Sequence, residues 1–94
     1  MNPAKVLLRP LVTEKSTLLQ EKGKYVFQVD NRATKHDVAR AVKWAFDVEA
    51  VGVNTFVVKG KVKRYGRRPS KQPDWKKAIV TLRPGDTIQL FEGA

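Results

Sequence analysis

The residues of this sequence that are best suited to chemistry lie in one basic segment, residues 59–77. This segment holds nine lysines and arginines against one aspartate, a net charge of +8, whereas the other 75 residues carry +2. Exposed surfaces normally mix both signs because like charges repel one another, so this concentration indicates a polyanionic partner. Lysine offers a point charge, and arginine offers a fork that fits phosphate. The nine cations are Lys59, Lys61, Lys63, Arg64, Arg67, Arg68, Lys71, Lys76 and Lys77.

Two aromatic residues, Tyr65 and Trp75, flank the tip of the same segment. They are suited to stacking on unpaired bases, as aromatic residues do in many proteins that read RNA. They are equally suited to pairing with each other across a hairpin, and the sequence favours neither interpretation. RNA is favoured over DNA because the segment has the character of a loop and the chain shows no recognition-helix motif. An anionic membrane is a weaker candidate, because the segment lacks an apolar face that could insert.

Catalytic and metal chemistry find little support in this sequence. His36 is the only histidine and there is no cysteine, which makes a zinc site improbable. Ser16 and Ser70 have no nearby residue that could serve as a base. We therefore expect no enzyme activity, no catalytic or metal-binding residues, no cofactor and no small-molecule substrate.

The bulk composition limits the class of protein further. A length of 94 residues predicts one domain, residues 1–94. The absence of cysteine favours a reducing compartment. No apolar run approaches the roughly 20 residues that a membrane-spanning helix needs, and the first residues lack the apolar core of a signal peptide. We therefore expect a cytoplasmic protein.

Two helices are predicted from capping residues and periodicity. Thr13 suits the N-cap of a short helix over residues 13–22, which Gly23 would end. Thr34 suits the N-cap of a second helix, with Asp37 three residues later as a variant of the capping box. Apolar residues at helical spacing extend that second helix over residues 35–46 and predict that it covers one face of a sheet.

The remaining chain has the alternation of β-strands. Residues 24–29 alternate, and residues 51–64 predict one long strand with a face that changes from valine to lysine. Such a strand would run off the core into solvent, turn through a loop over residues 66–74 and return over residues 75–83. We expect the prolines of that loop to lie outside any ladder. A last short strand is predicted over residues 87–91.

These elements together predict an α+β fold: a mainly antiparallel β-sheet packed by helices, with a long basic β-hairpin that protrudes at about residues 59–77. Consecutive strands joined by short turns favour antiparallel pairing.

Three stretches occur in an order and spacing that resemble a known family. They are RPLVTEKST (residues 9–17), ATKHDVARAVKWAFDVEAVGVNT (33–55) and GKVKRYGRRPSKQPDWKKAIVTL (60–82). They resemble the family of the twenty-third protein of the large ribosomal subunit, in its bacterial form, over nearly the whole chain. The resemblance implies a ribosome-bound structural protein beside the exit of the nascent-peptide tunnel. Its implied partners are the third domain of the large-subunit RNA and neighbouring ribosomal proteins.

The resemblance also implies roles for individual residues. Most hairpin cations are expected to contact RNA, while Thr34 and three further residues match motifs that contact RNA or support the backbone locally. The complete set of expected RNA contacts is Lys35, Asn54, Thr55, Lys59, Lys61, Lys63, Arg64, Tyr65, Arg67, Arg68, Lys71, Trp75, Lys76 and Lys77.

Glu14 and Asp47 are implied to serve protein partners. By itself, Glu14 is an acid at a helix start, worth about 0.3 kcal/mol against the helix dipole. In the family that this chain resembles, the glutamate of this motif docks the ribosome-associated chaperone trigger factor, and the two roles can coexist. Asp47 lies in an acidic region that would extend the same docking surface. The signal recognition particle and the protein translocation machinery are further partners implied by the resemblance.

Overall fold

The computed structural model describes residues 2–66 and 68–88, with the backbone alone at residues 63–65, 68 and 69. A four-stranded antiparallel sheet has the order β1-β2-β6-β3, and β4 and β5 form a separate two-stranded ribbon. The α+β fold with a hairpin extension is therefore confirmed. The elements are a 3₁₀-helix (Pro3–Lys5), β1 (Leu7–Pro10), α1 (Glu14–Glu21), β2 (Lys24–Val29), α2 (Lys35–Phe46), β3 (Ala50–Val58), β4 (Val62–Tyr65), β5 (Arg68–Lys71) and β6 (Trp75–Leu82).

Both helices begin at the capping residues that the sequence predicts. The Thr13 hydroxyl accepts a hydrogen bond from the Ser16 backbone N–H at 3.1 Å, and Ser16 Oγ accepts from the Thr13 N–H at 2.6 Å. Thr34 and Asp37 exchange the same pair of bonds at the start of α2. These bonds satisfy N–H groups that have no partner within the helix. Helix α1 ends before Gly23, which has a φ of 75° that residues with a side chain rarely adopt.

Helix α2 packs on one face of the sheet and closes the core there. Alternate residues of β2 and β6 are buried beneath it, and the rings of Phe27 and Phe46 lie 5.9 Å apart. Because side chains alternate between faces along a strand, these residues share one side of the sheet. The buried residues that form this contact are Tyr25, Phe27, Val29, Val38, Ala41, Val42, Ala78, Val80 and Leu82.

The opposite face of the sheet is only partly covered. Helix α1 lies against β2 on this side, where Val26 is buried. Directly paired residues of antiparallel strands share a face, so the register places five further residues beside one another on the uncovered part. We call this part the open face; it consists of Gln28, Asn54, Phe56, Trp75 and Lys77.

The predicted long strand over residues 51–64 is wrong, because the chain leaves the main sheet after Val58 and starts a new ladder at Val62. Two valines of the face that the sequence predicts to be apolar, Val51 and Val57, are 59% and 58% exposed. An irregularity in the register between Ala50 and Gly52 leaves Val51 without a paired residue. Val57 lies on β3, the outermost strand of the sheet, where it pairs with Lys76 of β6.

The ends of the described chain also differ from expectation. Strand β1 was not predicted, because its four residues are too few to show a clear alternation and end in a proline. The predicted strand over residues 87–91 is not found at Thr87 or Ile88, which lie in irregular structure. Its remaining residues lie outside the described part of the chain.

Pro69 lies inside β5, paired with Arg64, so the prediction that it stays outside any ladder is wrong. The backbone N–H of Gln72 donates to the carbonyl oxygen of Lys61 at 2.9 Å, which makes those two residues a hydrogen-bonded pair. Bonded and non-bonded pairs alternate along an antiparallel ladder, so Pro69 falls at a non-bonded position. The N–H that proline lacks is therefore not needed by the neighbouring strand.

The ribbon joins the sheet through a narrow segment that we call the neck: Lys59, Gly60, Lys71, Gln72 and Asp74. A side chain at Gly60 would collide with the carbonyl group of Gln72. Asp74 Oδ1 accepts a hydrogen bond from the Gly60 N–H at 2.7 Å. The Nζ atoms of Lys59 and Lys71 lie 3.6 and 3.7 Å from the same carboxylate. The one acid of the basic segment therefore holds its two strands together where they leave the sheet.

The contact at Gly60 generates a test of the neck. We expect Gly60→Ala to speed amide hydrogen exchange at Gln72 by roughly tenfold or more, because overpacking against rigid backbone costs about 1–3 kcal/mol. Gly52→Ala in β3 is the matched control, since the nearest atom to its added carbon would be Thr81 Cβ at 3.8 Å. Equal exchange rates at Gln72 in the two variants would contradict this account of the neck.

The pH dependence of the neck follows from Asp74. The hydrogen bond from the Gly60 backbone lowers the pKa of Asp74, partial burial opposes this, and Lys71 and Lys59 lower the pKa further. A pKa depressed by folding means that the contact stabilises the neck above the ordinary aspartate range, about 4. That stabilisation is lost as the pH falls through the lower folded-state pKa.

We therefore expect the NMR shift of the Gly60 amide proton to titrate with a midpoint below about pH 4. The matched variant Asp74→Asn has no carboxylate to protonate and should leave this signal unchanged over the same range. A Gly60 transition that persists in Asp74→Asn would show that another group is responsible.

Candidate nucleic-acid interface

The two paired strands of the ribbon carry four of the nine hairpin cations: Lys63, Arg64, Arg68 and Lys71. Lys61 is exposed, and the side chains of Lys59 and Lys71 are 80% and 61% exposed although both contact Asp74. Lys63, Arg64 and Arg68 lie on the backbone ladder of β4 and β5, while Arg67 falls outside the described residues. Because one carboxylate faces the whole set, the ribbon retains a large positive charge that phosphates can neutralise.

Lys76 and Lys77 have different surroundings from the cations of the ribbon. The Lys76 ammonium donates to the carbonyl oxygen of Ala33 at 2.6 Å and so ties β6 to the residue before the N-cap of α2. Lys77 lies on the open face, with its Nζ 5.9 Å from the centre of the Phe56 ring. This is within the range of a cation–π contact. Lys76 therefore has a structural task, whereas Lys77 presents charge beside an aromatic ring.

The two aromatic residues of the segment do not pair with each other. Tyr65 is opposite Arg68 in the ribbon, and Trp75 is opposite Val58 in the main sheet. The interpretation that they stiffen the hairpin as a cross-strand pair is therefore wrong. Trp75 is half-buried at the end of the open face that adjoins the neck.

The structure separates the three predicted contacts that lie outside the basic segment. Asn54 is exposed on the open face, opposite Ile79. Thr55 is half-buried on the other face, opposite Ala78, where α2 packs. Lys35 is exposed at the first turn of α2, next to the cap of Thr34. Asn54 therefore adjoins Trp75 and Lys77 on one surface, and Thr55 faces the opposite way.

Glu14 and Asp47 are exposed but belong to helices on opposite faces of the sheet. Glu14 is the first residue of α1. Asp47 caps the C-terminus of α2 with a φ of 54°, and its carboxylate lies 3.5 Å from Lys43 Nζ. The two acids are therefore not part of one side-chain cluster.

Three residues that were not predicted as contacts lie near the predicted ones. Phe56 is 45% exposed on the open face. Arg9 Nε donates to Gln28 Oε1 at 2.8 Å between β1 and β2. The alternation of β2 could have placed Gln28 opposite the core, and Phe56 could have been found as an aromatic residue out of phase with its neighbouring valines.

Within residues 2–66 and 68–88, no group of three or more histidine, aspartate or glutamate side chains is arranged to hold a metal ion. Over the same residues, no helix is both long enough and apolar enough to cross a membrane.

Comparison with known proteins identifies the family. The model of the family described as Ribosomal protein L23 matches residues 5–90. A protein of Roseiflexus castenholzii named large ribosomal subunit protein uL23 is 51% identical over 94 residues, which cover 100% of both chains. Proteins of the same name from Myxococcus xanthus and Pelotomaculum thermopropionicum are 55% and 52% identical, with coverage of 99% and 98% of this chain and 97% of each relative. The chain belongs to the ribosomal protein L23 family.

Proposed function

We propose that this chain is a structural, non-catalytic constituent of the large ribosomal subunit that binds ribosomal RNA through its basic hairpin. The observation that carries the proposal is the ribbon, which presents its cations against the single carboxylate of Asp74. The names of the relatives support the ribosomal setting. A protein of this kind acts by occupying a fixed place in the particle, in the cytoplasm.

The mechanism is electrostatic and geometric. Folded RNA brings phosphates close together, and a narrow ribbon of two strands can lie between them where a full sheet would be too wide. Each contact between a cation and a phosphate releases a counterion, which favours binding at low salt. The neck fixes the direction in which the ribbon leaves the sheet, because Gly60 and Asp74 join its two strands there. The helices and the rest of the sheet, with their near-balanced charge, remain available to proteins.

The resemblance to the family supports a more specific place for the hairpin. We place the RNA contacts in the third domain of the large-subunit RNA, near the exit of the polypeptide tunnel, with other ribosomal proteins alongside. The relevant side chains are those predicted from the sequence, with Lys76 serving the fold as well as any RNA contact. The ribbon cations supply affinity, and the neighbouring Asn54, Lys77 and Trp75 add a surface that can distinguish one RNA from another.

The salt dependence and specificity of RNA binding test the proposal. If about eight phosphates are contacted, the log–log slope of affinity against salt should be roughly −6 to −7. At about 0.15 M salt, where affinity still reflects specific contacts, a fragment of the third RNA domain should bind on the order of a hundredfold tighter than a shuffled RNA. The measurement is a competition titration with labelled protein.

Two variants of equal charge separate the hairpin from the rest of the chain. The hairpin variant replaces five cations with alanine: Lys61, Lys63, Arg64, Arg67 and Arg68. We expect it to lose the preference for the third-domain RNA and to reduce the steepness of the log–log salt slope by roughly 4. The control variant replaces five exposed cations elsewhere with alanine and should keep the preference. These are Lys5, Lys15, Lys22, Lys24 and Arg40. Equal binding of the original chain to both RNAs would favour a nonspecific nucleic-acid chaperone instead.

A second part of the proposal concerns proteins that meet the emerging chain. Glu14 is exposed at the start of α1, beside a cavity of about 580 Å³ between that helix and the sheet. Apolar side chains line much of this cavity, including Leu18, Leu19 and Ile79. An exposed acid next to an apolar groove supports a docking site for trigger factor. The signal recognition particle and the translocation machinery are proposed as further partners of the same region, and Asp47 as a more distant contact.

Charge substitutions on α1 test the docking site. We expect Glu14→Ala to weaken the binding of purified trigger factor by about tenfold, a loss in the range for an interface contact that matters. Glu21→Ala at the other end of the helix removes the same charge and should change binding by less than about twofold. Biolayer interferometry with the full chain measures both. Identical affinities for the two variants would remove Glu14 from the docking site.

A further inference from the structure

A cavity of about 640 Å³ lies where the neck meets the open end of the sheet. Its walls come from β1, from β2, from the loop that follows β2 and from the start of β6. We call it the Trp75 cleft. The residues that matter for its chemistry are Arg9, Gln28, Asp30, Asn31, Arg32 and Trp75.

The polar groups of the Trp75 cleft retain capacity for further hydrogen bonds. Arg9 has one polar partner within the described residues, the neutral side chain of Gln28. Asn31 Nδ2 donates to the Asp74 carbonyl at 3.2 Å, which leaves its side-chain oxygen as an acceptor. Asp30 Oδ1 accepts from the Arg32 backbone N–H at 2.9 Å and from Arg32 Nε at 3.4 Å, whereas its Oδ2 has no hydrogen-bond donor in the part of the chain described. The cleft thus combines an aromatic wall with free donors and acceptors.

The charges in the cleft indicate which ligand class fits. The hydrogen bond from the Arg32 backbone lowers the pKa of Asp30, so this carboxylate is ionised at neutral pH. Asp30 and Asp74 would repel a phosphate inside the cleft, while Arg9 and Arg32 would repel the cationic side chain of a protein. A neutral nucleotide base avoids both costs, and the phosphates of the nucleotide can remain near Arg32, whose side chain is 84% exposed.

We propose that the Trp75 cleft takes up the base of one unpaired nucleotide of the RNA that the hairpin binds, an inference that rests on the proposed function. The cavity is within the size range of small-molecule sites, about 300–1,000 Å³. The base stacks on Trp75, an exocyclic amino group donates to Asp30 Oδ2 or Asn31, and Arg9 and Gln28 donate to ring or carbonyl acceptors. Lys59 and Lys71 at the adjoining neck hold the flanking phosphates.

Trp75 fluorescence gives a direct readout of base stacking. Trp44 is the other tryptophan, 65% exposed on α2, so Trp44→Phe leaves Trp75 as the sole tryptophan. The probes are two RNA stems without a loop, identical except that one carries a single extra unpaired adenosine. We expect the RNA with the bulge to quench Trp75 and to bind about tenfold tighter, in keeping with the stacking of one base on an aromatic side chain. The fully paired stem should leave Trp75 fluorescence unchanged.

A charge-preserving variant separates the cleft from general electrostatic attraction. Arg9→Lys keeps the positive charge and removes the forked donor, so the preference for the bulge should fall to within about twofold. Arg40→Lys, at an exposed position of α2, should retain the preference. Equal affinities for the two RNAs, or equal quenching by both, would overturn the cleft proposal and leave the hairpin proposal standing. Failure to bind either RNA would also overturn the cleft proposal, whereas the titration with the third-domain fragment decides the hairpin proposal.

Discussion

The carboxylate of Asp74 is the contact on which the extended part of this structure depends. Nine cations in 19 residues repel one another, yet the ribbon requires two strands of this segment to run side by side. Asp74 joins these strands at the neck through the Gly60 N–H and through its proximity to Lys59 and Lys71. Its position is effective because the neck is where the ribbon leaves the support of the main sheet. Further out, the ribbon keeps its positive charge, which is the property that an RNA partner would use.

The two faces of the sheet have different roles. One face is closed by α2, whose capped start and apolar stripe bury the alternate residues of β2 and β6. The other face is covered only at one side by α1, and it keeps Asn54, Phe56 and Lys77 accessible beside Trp75. A hydrophobic core needs only one apolar face of a sheet, so the second face is free to carry residues chosen for binding. The Trp75 cleft lies where this second face meets the neck.

Local signals predicted a large part of the fold. Thr13, Gly23 and Thr34 mark helix boundaries through hydrogen bonds and dihedral preferences within a few residues, so those boundaries are encoded locally. The strand pattern at residues 24–29 was equally clear. The long strand and the proline-free ladder were wrong because both depend on pairing between distant residues. At Gly60 the chain passes too close to Gln72 for a side chain, and Pro69 is tolerated because of a register that only the partner strand determines.

For the candidate site, the sequence by itself determined the chemistry: a concentrated positive charge, the aromatic residues that accompany it, and the absence of cysteine. These properties depend on residue types alone and are therefore the same whatever fold the chain adopts. Only the tertiary structure decided which of those residues act together. It tied Lys76 to Ala33, separated Thr55 from Asn54 by the thickness of the sheet, and brought Arg9 and Gln28 to the cleft beside Trp75. Neighbours of this kind come from strand order and register, which are set by contacts between residues far apart in the chain.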